Sequence, residues 1–163
     1  MVFANGISWL THVKTPISRM LGFLLNLRSF GLCFNYTGAN WDDLPDKTWT
    51  AFTRVFKMES VKEVELECAF GFSAALLVPL ARLKYLALSN MNFDADKEIH
   101  LTSPCDVALE GLYLRGVSPG VMKILTRTLS NFADAPPMLH KLVLMALVEG
   151  FAEAVMELIL TCG

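Results

Sequence analysis

The sequence predicts an α/β fold arranged as a solenoid: about five irregular strand–helix repeats, with a parallel sheet on the concave side. Three observations carry that expectation. A nine-residue pattern of apolar positions recurs five times along the 163 residues. Segments with helical period or turn chemistry separate the copies. Within each copy apolar and polar residues alternate, as they do in a strand buried on one face only.

The clearest copy is LRSFGLCFN, in which Leu27, Phe30, Leu32 and Asn35 stand at the spacing L-x-x-L-x-L-x-x-N, the strand signature of a leucine-rich repeat. Val61, Val64 and Leu66 repeat it with Ala69 in the ninth position. The third copy is Leu83, Leu86, Leu88 and Met91, the fourth Leu109, Leu112, Leu114 and Val117, and the fifth Leu139, Leu142, Leu144 and Leu147. The first positions are residues 27, 61, 83, 109 and 139, so successive copies lie 34, 22, 26 and 30 residues apart. Those intervals fall in or near the window of about 20–29 residues usual for such repeats, with the first and last stretched by loops.

Taken in order, Thr15-Pro16 opens a helix whose apolar face is Ile17, Met20, Leu21, Leu24 and Leu25, and which leads directly into the first strand. YTGANWDDLPDK after Asn35 reads as a loop, and Asp46 as the cap of a second helix facing inward through Trp49, Phe52, Val55 and Phe56. After the second strand, Ser73 to Ala81 is a short apolar segment whose regularity Pro79 limits. The polar connector NFDADKEIHLTSP separates the third and fourth strands. Ser118-Pro119 opens a helix lined by Val121, Ile124, Leu125, Thr128 and Phe132, and Pro136-Pro137 ends that stretch. A last amphipathic helix from about Gly150 carries Phe151, Val155, Leu158 and Ile159.

The same elements in a doubly wound α/β domain would require strands apolar on both faces. Here the third, fifth and seventh positions are often polar or charged, which leaves one sheet face wet and favours stacked repeats. Residues 1–163 read as a single domain, truncated at one or both ends, because the terminal segments lack the polar caps a solenoid needs.

Composition narrows the function. Apolar residues make up 53% of the chain and the mean hydropathy is +0.43, yet the longest uncharged stretch, Cys68 to Ala81, is 14 residues. A spanning helix needs roughly 18–20, and MVFANGISWL has no basic segment ahead of an apolar one, so no membrane partner and an intracellular location, cytoplasmic or nuclear, are expected. Fourteen basic and 16 acidic residues are spread without a basic run, which argues against nucleic acid. Cys33, Cys68, Cys105 and Cys162 form no metal or redox spacing, and neither a metal nor a cofactor is expected. His12, His100 and His140 are scattered, and no phosphate loop, dinucleotide fingerprint or nucleophile elbow occurs, so the chain is expected not to be an enzyme. Asn35-Tyr36-Thr37 forms a glycosylation sequon, discounted for an intracellular repeat turn.

The segments NWDDLPDKTWTAFTRVF, LVPLARLKYLALSNM and MLHKLVLMAL, in which a proline-tagged helix runs into an L-x-x-L-x-L strand, resemble the leucine-rich-repeat region of fungal F-box-type proteins, in particular the large basidiomycete sets. The resemblance covers nearly the whole chain and implies a non-enzymatic substrate-recruiting role in a ubiquitin-ligase adaptor. Two features depart from it. Only Asn35 supplies the ninth-position asparagine, and no F-box is visible, since Leu44-Pro45-Asp46 is followed too soon by the strand at Val61.

The residues expected to carry function are the outward-facing ones between the leucines. Glu63, Glu65 and Glu67 form an acidic strand face; Tyr85 and Tyr113 are aromatic; Arg115 and Lys141 are basic. Acid, aromatic and base in that order make a candidate protein-binding face. The competing readings are a repeat fragment with no binding role of its own and, more remotely, an α/β enzyme.

Overall fold

The computed structural model describes residues 2–3, 16–23, 26–34, 39–72, 82–92, 109–131, 139–145 and 151–162. It is an α/β structure. In chain order its elements are β1 (Val2–Phe3), α1 (Pro16–Phe23), β2 (Ser29–Cys33), β3 (Ala39–Asn40), a 3-10 turn (Trp41–Asp43), α2 (Asp46–Phe56), β4 (Glu63–Glu67), β5 (Ala69–Phe70), β6 (Tyr85–Ser89), β7 (Gly111–Arg115), α3 (Pro119–Asn131), β8 (Lys141–Met145) and α4 (Phe151–Cys162).

β1, β2, β4, β6, β7 and β8 form one sheet in that order, every pair parallel. Ser29, Glu63, Tyr85, Gly111 and Lys141 are direct neighbours across it, so the third positions of the five sequence copies share one row. A bond pattern repeats at the four boundaries from β2 to β8. The second-position carbonyls of Arg28, Lys62, Lys84 and Glu110 each accept two amides from the following strand, as when Lys62 O takes those of Lys84 and Tyr85 at 2.7 and 3.1 Å. At the other end the eighth-position amides of Phe34, Cys68, Asn90 and Gly116 donate to Glu67, Ser89, Arg115 and Met145. Cys68, Asn90 and Gly116 turn with φ of 57°, 51° and 56°, a region that only glycine enters freely. A Cβ at Gly116 would collide with the side-chain oxygen of Asn90.

One sheet face is the core. Phe30, Leu32, Val64, Leu66, Leu86, Leu88, Leu112 and Leu114 are buried there and join one cluster with Leu21 of α1, Phe52, Val55 and Phe56 of α2, Val121, Met122, Leu125 and Leu129 of α3, and Phe151, Ala154 and Leu158 of α4. The strand period of two and the helix period of 3.6 aim these residues at a common layer. The ninth-position residues Ala69, Met91 and Val117 are also buried.

Residues 39–44 are more ordered than their turn-rich composition suggests. β3 pairs with β5 in a second, two-stranded sheet, and Asn40 caps the 3-10 turn by accepting the amide of Asp42 at 3.2 Å. Trp41 is thereby buried against Phe72, their ring centroids 4.8 Å apart. Two helical details depart from expectation. Pro45, not Asp46, occupies the cap position of α2, with no side-chain cap bond, because Asp46 is already helical. Trp49 is 39% exposed and Thr48 is buried in its place, since a face centred on Phe52 and Val55 includes position 48, four residues before Phe52. In α1 and α4, Met20 and Ile159 are likewise on the exposed side. Leu24, Leu25, Asn35, the apolar segment at 73–81, Phe132 and Leu147 lie outside the described residues, as does the side chain of Thr128.

Among the described residues no helix is long and apolar enough to cross a membrane.

Candidate functional site

The opposite face of the sheet carries the third, fifth and seventh positions. A depression of about 210 Å³ opens on it, lined through Glu63, Glu65, Tyr85, Tyr113 and Lys141 together with Ser29, Ala87, Gly111 and Val143. The register accounts for the gathering: side chains two residues apart on a strand point the same way, and in-register neighbours lie about 4.8 Å apart across the sheet. Five of the seven residues singled out from the sequence thus share one hollow. Glu67 and Arg115, at the seventh positions, fall beyond its lining.

Gly111 shapes the hollow and was not singled out. It is the partner of Tyr85 across β6–β7, and a Cβ there would collide with the Tyr85 ring at Cδ1 and Cε1. The ring therefore lies over the glycine, which is buried, while Tyr85 itself stays 44% exposed. The clue in the sequence is that both residues fill the third position of adjacent copies. Two further small residues on this face, Gly31 and Ser89, are also buried. Alternation alone places them on the wet face. On the far wall the Tyr113 hydroxyl donates to Met145 Sδ at 3.3 Å, which holds that ring toward β8.

The electrostatics are uneven. Glu63 and Glu65 are exposed, and neither flanking strand places a cation on this face: β2 contributes Ser29, Gly31 and Cys33, and β6 contributes Tyr85, Ala87 and Ser89. Carboxylates two residues apart lie roughly 7 Å from one another, a repulsion of about 0.6 kcal/mol per pair in water-like surroundings. Lys141 is three strands away, roughly 14 Å, too far to neutralise them directly. Glu67 is engaged differently, accepting the Cys33 thiol on Oε2 at 3.1 Å. Burial, that hydrogen bond and the nearby carboxylate charges push the Cys33 thiol up to about 12, so it is not a nucleophile at neutral pH. Burial also raises Cys68. Outside the hollow, Lys84 pairs with Glu110 at 2.6 Å along the second-position row.

No protein-family model matches the chain, and no curated protein or solved structure matches it either.

Proposed function

We propose that this chain is a protein-recognition module of the leucine-rich-repeat-like solenoid type, holding an extended segment of a protein partner along the open, concave sheet face. The observation that supports this reading most is the convergence of Glu63, Glu65, Tyr85, Tyr113 and Lys141 on one uncovered hollow, while the alternate residues of the same strands are committed to the core. A partner that sets basic side chains over the glutamates relieves their mutual repulsion, and Tyr85 beside them offers an aromatic face to the same cations. The reading involves no catalytic step and no cofactor. In an F-box-type setting the bound segment would belong to a substrate destined for ubiquitin ligation, and the chain would be the part that selects it.

A random peptide library displayed on phage and panned against the isolated chain tests the proposal. Enriched peptides should carry Lys or Arg, bind more weakly as salt rises, and lose at least tenfold in affinity to the variant Glu63→Lys/Glu65→Lys/Glu67→Lys, whose thermal melt controls for folding. Unchanged binding to that folded variant would falsify the assignment of this face.

A further inference from the structure

We propose that the outer edge of β8 is an interface for a second copy of this chain, the two β8 strands pairing antiparallel about a two-fold axis at Val143. The inference does not depend on the reading of the open face.

The two edges of the sheet differ in kind. β1 is two residues long, and short edge strands resist further pairing. β8 has five residues, KLVLM, with no proline or bulge and a single charge at one end. Leu142 and Leu144, the core-facing residues of β8, are only half-buried, whereas the equivalent pairs of β2, β4, β6 and β7 are all buried. Met145 is 48% exposed, and α4, which packs on α3, leaves Met156 55% exposed.

The hydrogen-bond pattern identifies what the edge lacks. In a parallel sheet the N–H and C=O of one residue point to the same neighbour, and successive residues alternate sides. Lys141 N donates to Glu110 O and Met145 O accepts from Gly116, so residues 141, 143 and 145 are turned toward β7. Leu142 and Leu144 therefore present their amides and carbonyls to the open side, as His140 does its carbonyl. At the four boundaries from β2 to β8 the equivalents of that carbonyl take two amides from the next strand. The described residues supply no such strand beyond β8.

The chain's own β8 is complementary to this edge. With Val143 opposite Val143 of the second copy, Leu142 faces Leu144 of the second copy and Leu144 faces its Leu142. All four have outward backbone groups, so each of the two pairs exchanges two hydrogen bonds, the closely bonded pairing of an antiparallel ladder. A shift of one residue would set outward groups against inward ones and lose them all. Side chains agree with the same register. The leucines cover each other on the core side, Val143 meets Val143 at a non-hydrogen-bonded site, and Lys141 faces Met145, so no like charges oppose each other. The product is a continuous sheet with both hollows on one side.

Light scattering coupled to size-exclusion chromatography over a range of concentrations reads the outcome. The wild-type chain should approach twice its formula mass. Val143→Lys and Val143→Glu should each weaken association about tenfold or more by placing like charges in contact, and an equimolar mixture of the two should recover the dimer as a heterodimer. A wild-type chain that stays monomeric, or a folded Val143→Lys that still dimerises, overturns the proposal. Should either variant fail to fold, amide exchange on the wild type decides: the Leu142 and Leu144 amides slow with rising protein concentration if the edge is paired, and unchanged rates exclude it.

Discussion

Around β2 and β4 the core face of the sheet meets six buried aromatic rings, Phe30, Phe34, Trp41, Phe52, Phe56 and Phe72, whereas around β7 and β8 it meets mostly aliphatic side chains and, at β8, partial exposure. The rings interlock: Phe30 stands edge-on to Phe56 at 5.7 Å, and Phe56 to Phe72 at 5.9 Å. Backbone geometry does not distinguish the two regions, since the register and the doubled hydrogen bonds at the second position are the same in both. The leucine spacing therefore sets where the strands sit, and the filling between sheet and helices sets how firmly each is held. The first region spends its sequence on its own stability. The second leaves Leu142 and Leu144 half-buried, and among the described residues no strand pairs beyond β8.

The largest expected effect is on the aromatic side. Phe52→Ala should cost about 3–5 kcal/mol, because a fully buried ring that touches Phe30 and Trp41 leaves a cavity the neighbours cannot fill. Leu142→Ala at the half-buried edge should cost only about 1–2 kcal/mol. Urea titrations of the two variants measure the contrast, and equal losses would mean the halves are stabilised alike.

Between those effects and the smallest lies Gly111→Ala. Its methyl group must displace the Tyr85 ring, so a loss of about 1–2 kcal/mol is expected, and it should disappear in a Tyr85→Ala background. A double-mutant cycle reads this directly, and a loss that persists without the Tyr85 ring would place the strain elsewhere.

The thiol of Cys33 sharpens the comparison on the open face. The folded chain keeps this proton up to about pH 12, while the unfolded chain releases it near the ordinary value of 9.0. Its stabilising contribution is therefore complete below pH 9 and is lost as the pH rises toward 12, where the native state binds more protons than the unfolded one. Alkylation of Cys33 followed by mass spectrometry should be slow at pH 8.5. Glu67→Gln should accelerate it, by removing the carboxylate that accepts the thiol proton, without bringing it to the rate of a free thiol, because burial remains the larger cause. The smallest effect belongs to Lys84→Gln, which removes an exposed ion pair and should leave the urea midpoint unchanged within error.

The five strands were legible in advance because a period of two with fixed leucine spacing is local information. The row Ser29, Glu63, Tyr85, Gly111 and Lys141 follows once the copies are aligned, and five of the seven proposed surface residues did line one hollow. Other features were not legible for stated reasons. The pairing of Ala39 and Asn40 with Ala69 and Phe70 joins residues thirty apart that share no pattern. Trp49 matched the helical period of α2 as well as Thr48 did, and only the direction of the aromatic cluster chose between them.

By itself, then, the sequence determined β2, β4, β6, β7 and β8, the apolar and polar faces of each, and the row of variable residues between the leucines, since each depends on spacing within one short segment. Tertiary structure alone decided that Glu67 turns to Cys33 while Glu63 and Glu65 face the hollow, that Tyr85 rests on a glycine, and that β8 is the last strand of the sheet among the described residues. Those outcomes depend on which atoms meet across strands far apart in the chain, and contact between distant residues leaves no periodic trace in either of them.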